Sequence, residues 1–423
     1  MTNNSRSLLS NTARVQAPWI KVTIGNYSFG VFDRATNNTL KSNSGMYEMY
    51  GISYPNYVQR LTIVKVNGQV NQYTLNIVYP VRHTDDPNFF EKVFSSVSNT
   101  RKITFSYGDS SMPTYVYKEE EALITGVQQQ FDLVGSKISY TVKAVSSSVV
   151  GTTGCFNFIN TGKKKPSDEI KRVFRDTTYG LQEIFKGMGE NNIHKLIAGD
   201  DKMVSIGTKT NISPIDYIKY LTSCMVPAGS NNDNLSKELY ILTLHDDTIY
   251  DMSYNDTLSN GGAYFKVTKT ASSAEQADAY EIDIGYNTST LVTSFSIVNE
   301  ENYSIFYDYN SKLQPETYSR RLNNNGQWED VYCPMFTSGN SSFETRAEDV
   351  TWFTKLAKYP ISATIRVQGL LRPAQLMQYI RLNVIFPGGH KHISSGLYII
   401  TKQTDEISES GYSTTLNLTR VSN

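Results

Sequence analysis

A mainly β chain with a small α insert is the fold class this sequence predicts, and three observations carry the expectation. The 423 residues include 29 Tyr and 18 Phe, yet only 19% are charged. The polarity comes from Ser, Thr, Asn and Gln, a mixture that suits pleated, half-buried surfaces. Alternation of apolar and polar residues recurs along both ends of the chain. Helical spacing, by contrast, gathers in short stretches. Other classes are excluded early. Aromatics at 12% and a formal charge of zero, 40 Lys+Arg against 40 Asp+Glu, do not describe a disordered chain or a broad nucleic-acid-binding face. No apolar run reaches membrane-spanning length, so no membrane partner is expected. The first residues lack the apolar core of a signal peptide. Cys155, Cys224 and Cys333 are far apart and form no CxxC pair, which fits a reducing compartment and predicts neither a zinc site nor a disulfide framework.

The elements follow in order. Arg60–Val66 and Gln69–Tyr79 flank Asn67-Gly68, a dipeptide that predicts a tight hairpin because both turn positions favour φ > 0. Tyr73, Leu75, Ile77 and Tyr79 form a buried face by alternation. Asp85-Asp86-Pro87 starts a helix carrying Phe89, Phe90, Val93, Phe94 and Val97. Ile103–Tyr107, Ala122–Leu133 and Lys137–Val145 read as further strands. A small, polar stretch at 146–154 marks a boundary. Beyond it, Ser167 is the expected cap of a helix with Ile170, Val173, Phe174, Leu181, Ile184 and Phe185 on one side. Ser213-Pro214 with Asp216 predicts a second helix start. Strands resume at Glu238–Leu244, Ala263–Thr268, Tyr280–Gly285 and Leu291–Val298. Ala363–Val367, Ile380–Phe386, Gly396–Thr401 and Tyr412–Val421 close the chain.

An internal echo emerges when 122–145 is laid over 398–421. Ile124 meets Ile400, Thr125 meets Thr401, Gly135 meets Gly411, and Phe131 meets Ile407. This predicts a duplicated hairpin in which Gly135 and Gly411, like Asn67 and Gly68, are structural turn residues. Two similar barrels per chain would let three copies present six similar elements in a ring. The alternative is that two unrelated β-hairpins look alike.

Catalytic signals are poor. There is no GxSxG elbow, P-loop, GxGxxG or HExxH. His390 and His392 stand two apart in an expected exposed loop, with too few neighbouring ligands for a metal. His245-Asp246-Asp247 reads as a polar strand end, and Glu119-Glu120-Glu121 as a solvated turn. Lys163-Lys164-Lys165 reads as a solvated linker. No catalytic, cofactor-binding or metal residue is assigned, and no cofactor is expected.

The segments Ile365–Gly369, Arg381–Phe386 and SSGLYIITKQTDEISESGYSTTLNLTRV resemble the end of contractile-tail phage baseplate hub proteins. The likeness extends to the related late-control-D proteins and the hub half of type VI secretion spikes. LTIVKVNGQVNQYTLNIVY, DDPNFFEKVFSSVS and RKITFSYGD look like the first hub barrel, itself a relative of tail-tube proteins, and SPIDYI like a helical segment found inside such hubs. The resemblance implies two tube-like β-barrel domains plus helical and β connecting domains. The expected division is 1–150, first tube-like barrel; 151–235, helical insert; 236–350, β-rich connecting domain, part of which completes the second barrel; and 351–423, the C-terminal part of that barrel. It implies a non-enzymatic structural role: a homotrimeric ring in the virion tail baseplate, assembled in the host cytoplasm. The ring would adapt the six-fold tail tube or tube initiator to the three-fold central spike. Its lumen would pass DNA, without sequence-specific binding, and tape-measure protein. Phe89, Phe90 and Phe94 are the candidate subunit-interface residues. A receptor- or glycan-binding tail protein and a cell-wall hydrolase are the competing readings.

Overall fold

The computed structural model describes residues 6–7, 18–31, 46–49, 52–55, 57–66, 69–83, 85–96, 101–109, 116–146, 154–179, 181, 197–225, 228, 240–246, 249–251, 256–257, 263–269, 279–285, 292–299, 317–322, 328–333, 361–369, 376, 379–408 and 410–422. The chain is mainly β with a small α insert, as expected. Its first unit orders the strands Tyr27–Val31, Pro18–Ile24, Lys102–Asp109, Val116–Asp132, Lys137–Ser146, Gln72–Pro80 and Val58–Val66, with every neighbour antiparallel. Inward residues of all seven strands share one core with Phe90 and Val93 of the helix Phe89–Ser96. The second unit orders Arg6–Ser7, Ala279–Gly285, Tyr379–Ile385, Gly396–Ser408, Gly411–Ser422, Ile361–Gln368 and Val292–Asn299.

The last five strands of each series correspond, in the same chain order and the same sheet order. Two matched bulges fix the correspondence. In the N-terminal hairpin, Ile124 pairs with Ala144 and Gly126 with Lys143, so Thr125 bulges. In the C-terminal hairpin, Ile400 pairs with Leu418 and Lys402 with Asn417, so Thr401 bulges. Thr125 Oγ1 donates to Lys143 O and Thr401 Oγ1 to Asn417 O, each at 3.2 Å. The second pair of bulges lies at Gln59, between the pairs Val58–Ile77 and Arg60–Asn76, and at Thr293, between Val292–Val367 and Ser294–Arg366. Bulges interrupt a ladder at specific places, so two coincidences at equivalent positions are not a generic property of hairpins. Thr125→Val and Thr401→Val are each expected to cost about 0.5–1.5 kcal/mol in urea unfolding, with the half-buried Thr401 the larger.

The glycine match does not hold. Asp132 pairs with Lys137 across a four-residue turn, 133–136, whereas Ser408 pairs with Gly411 across two residues. Gly135 therefore lies within a turn and Gly411 opens a strand. Gly135 donates its N–H to Asp132 Oδ1 at 2.8 Å, and the positive φ of that turn (48°) falls on Ser136, while Gly411 itself has φ 143°. The gapless alignment is correct through Phe131 and Ile407 and two residues out of step beyond them.

The first hairpin also differs in detail. Gln69 N–H donates to Val66 O at 3.0 Å, bracketing Asn67 and Gly68, which lie outside the described residues. The ladder then pairs Val64 with Gln72, one residue out of step with a two-residue hairpin, and the returning strand begins at Gln72.

The insert has its own core. Its first helix, Pro166–Arg175, buries Ile170, Val173 and Phe174 and ends before Leu181 rather than running on. Ser167 is not its cap. It is already inside the helix, and its N–H and Oγ donate to the buried Asp201 carboxylate at 2.9 and 2.5 Å. The second helix, Pro214–Ser223, starts as expected: the Ser213 side chain accepts from Asp216 N. Lys163-Lys164 is not a free linker but a short strand paired with Val204-Ser205.

Candidate functional site

The chain's two units meet along one strand. The first half of Gly396–Ser408 pairs with Tyr379–Ile385, and the second half, Lys402–Ser408, leaves that neighbour and pairs with Arg60–Val66 of the first unit. Its alternation carries this segment's inward side chains, Gln403, Asp405 and Ile407, to the first unit's interior. Ile407 and Tyr412 belong to the first unit's core, not the second's.

Two buried carboxylate clusters flank that seam, one on each side. Glu120 is buried and accepts from Lys65 Nζ at 3.0 Å, Tyr73 OH at 2.5 Å and Tyr107 OH at 2.6 Å. Asp405, also buried, accepts from Thr414 Oγ1 at 2.5 Å, Gln403 Nε2 at 2.9 Å and Tyr412 OH at 3.3 Å. The Tyr107 and Tyr412 rings meet edge to face at 6.4 Å and link the two carboxylate clusters. Burial, then the Glu120 carboxylate, holds the Tyr107 hydroxyl well above its ordinary pKa; burial, then Asp405, does the same for Tyr412. Each cluster fixes the register of the strands within its own unit, because its members lose their partners if a strand slips, and the ring contact sets the two clusters against each other.

The acidic run is thus not a solvated turn. Glu119-Glu120-Glu121 lies within the strand Val116–Asp132, and alternation sends Glu120 inward and Glu121 outward to Lys102 Nζ at 3.0 Å. Glu120 and Glu121 therefore cannot act together. The side chains of Glu119, His245 and Asp246, and all of Asp247, lie outside the described residues; the His245 backbone pairs with Tyr264. His390 and His392 occupy an exposed loop, where His392 Nδ1 and Ser394 Oγ share a 2.7 Å hydrogen bond. Among the described residues no three His, Cys, Asp or Glu side chains gather as metal ligands. Cys224 is buried and Cys155 exposed.

Of the aromatic helix residues, Phe90 is fully buried against Phe29, Tyr57 and Tyr140 in the chain's own core. Phe89 and Phe94 pack on the same core and stay partly exposed. Among the described residues, the apolar side chains most open to solvent in the first unit are elsewhere, at the N-terminal hairpin tip: Phe131, Leu133 and Val134.

No protein-family model matches the chain, and no curated protein matches it. Among solved structures it is similar to a tail protein from Neisseria meningitidis MC58, with 8% identity, 95% of this chain and 96% of that chain covered, and a TM-score of 0.47. It is also similar to the 43 kDa tail protein of prophage MuSo2 from Shewanella oneidensis, with 8% identity, 96% and 97% covered, and a TM-score of 0.46. A third similar structure is the E. coli c3393 protein, described as a component of the type VI secretion system with structural similarity to T4 bacteriophage tail proteins gp27 and gp5; identity is 8%, coverage 87% and 74%, and the TM-score 0.42.

Proposed function

We propose that this chain is a structural subunit of a phage-tail baseplate hub. Three copies form a ring of six barrel-like units that adapts a six-fold tail tube to a three-fold central spike. DNA and tape-measure protein pass through its lumen. The observation that carries the reading is the repeated five-strand topology with matched bulges, because a chain with two equivalent units turns a three-fold assembly into a six-fold-like surface. The sequence resemblance to hub proteins supplies the partners: tube or tube initiator on one side, spike on the other. Sedimentation of the full-length protein at tens of micromolar, with negative-stain imaging, tests it. The expected result is three times the 47.6 kDa subunit mass and rings of six lobes. A stable dimer, or cell-wall clearing by the purified protein in a zymogram, would overturn it.

A further inference from the structure

The repeat leaves one edge bare. In the second unit, the outer half of the long strand, Lys402–Ser408, is covered by Arg60–Val66. The equivalent half of the first unit's long strand runs from Gly126 to Asp132. Strand Lys102–Asp109 pairs with that long strand only as far as Leu123, Ile124 N–H still donates to Arg101 O at 2.8 Å, and among the described residues no strand pairs with the open edge of Gly126–Asp132. The counterpart of Arg60–Val66 is equally open: Val292–Asn299 pairs with Ile361–Gln368 on one side, and among the described residues has no neighbour on the other. Neither edge is strongly guarded. Gly126–Phe131 (GVQQQF) and Ser294–Asn299 (SFSIVN) contain no Lys, Arg, Asp, Glu or Pro, the residues that keep exposed strands from pairing, and Asp132, which ends the first edge, is engaged by Lys137 and by Gly135 N–H. Phe131 is 57% exposed, while its equivalent Ile407 is fully buried in the neighbouring unit's core.

We propose that the edge Gly126–Asp132 of one copy adds antiparallel to the edge Ser294–Asn299 of a second copy of this chain, repeating between subunits the joint that Lys402–Ser408 makes within one. This rests on the ring reading and supplies its seam. The internal joint dictates the register. Ile407 pairs with Leu61. The matched bulges make Phe131 the counterpart of Ile407 and Phe295 that of Leu61, so Phe131 faces Phe295 of the next copy. Gln130 then lies opposite Ser296, on the other face of the sheet. Phe295 already packs at the margin of the second core, where an incoming Phe131 would cover it as Ile407 covers the first. The contact is head to tail, using two different surfaces of the same chain, so successive copies must close into a ring or continue as a filament.

Cysteine pairs in the full chain test the seam, in a background with Cys155→Ser and Cys333→Ser. Directly opposite residues of an antiparallel pair approach closely enough for a disulfide, while those on opposite faces do not. After mild oxidation, Phe131→Cys with Phe295→Cys should give covalent multimers on a denaturing gel, ending at the closed ring. Phe131→Cys alone, or combined with Ser296→Cys, should run as single chains. An oligomer by sedimentation that forms no 131–295 disulfide overturns the pairing and leaves the ring standing. Equal cross-linking through position 296 overturns the register. A chain that stays monomeric and uncross-linked at the same concentration overturns both the ring and its seam.

Discussion

Glu120→Leu is expected to lower the unfolding free energy by about 3–5 kcal/mol, the cost typical of breaking a buried ion pair from one side. Glu120 is 2% exposed, and its carboxylate receives Lys65, Tyr73 and Tyr107, three donors from three strands. Leucine fills a similar volume but accepts nothing, so a buried ammonium and two buried phenols lose this partner together. Glu120→Gln keeps an acceptor for one hydroxyl and gives up the charge, and should lie between leucine and the native protein. Lys65→Met combined with Glu120→Leu should recover part of the loss, since the penalty comes from stranding a charge rather than from the absence of a pair. Urea unfolding followed by circular dichroism measures all three. A Glu120→Leu midpoint shift worth less than about 1 kcal/mol would mean that the network contributes little to stability.

The strand framework was legible because one face of most strands is apolar, and alternation reports that face directly. Tyr73, Leu75, Ile77 and Tyr79 are all buried, as their spacing implies. The joint was not legible, because its inward positions are polar. Lys65 continues the inward phase of Leu61 and Ile63, and Asp405 that of Ile407, but a charged residue in that phase looks like a strand end. The same confusion delayed the start of Val116–Asp132, whose Glu119-Glu120-Glu121 resembles a turn. A charge that keeps the apolar phase, followed by further alternation, was the signal available for this network. Strands Pro18–Ile24 and Tyr27–Val31 were missed although Gly25-Asn26 separates them. Gly25 has φ 57° and Ile24 pairs with Tyr27, the geometry of a two-residue hairpin.

The duplication was half legible for a related reason. Ile124, Thr125 and Phe131 match Ile400, Thr401 and Ile407 because the bulge constrains them: the threonine hydroxyl bonds to the partner strand's carbonyl in both places. Past the turn, loop length is free to vary, and identities read across it were coincidental. What separates the copies is also informative. Asp405 and Lys65 occupy the joint inside the chain, while their counterparts by the matched bulges, Gln129 and Asn299, are uncharged. A permanent intrachain contact can retain a buried charge network. At the corresponding positions of the bare edges, which must remain soluble before assembly, the side chains are polar amides without charge.

Gly369→Ala should be strongly damaging. A Cβ at this position would lie 2.1 to 2.5 Å from three atoms of the Tyr412 ring, well inside van der Waals contact. The ring cannot swing aside cheaply. Tyr412 is 1% exposed, its hydroxyl bonds to Asp405, and its carbonyl accepts the Gly369 N–H at 2.9 Å. Overpacking of this kind costs about 1–3 kcal/mol. Here it would displace the residue that joins the two carboxylate clusters. Gly126 is the matched control. A Cβ there meets nothing within 4 Å, so Gly126→Ala should stay within about 0.5 kcal/mol of the native protein. Hydrogen exchange locates the effect. Gly369→Ala should accelerate exchange in Lys402–Ser408 and Arg60–Val66, the strands that pair at the joint, and leave the insert helices Pro166–Arg175 and Pro214–Ser223 unchanged. Equal acceleration in the insert would show that the damage spreads through the whole chain, and that Tyr412 does not act at the joint.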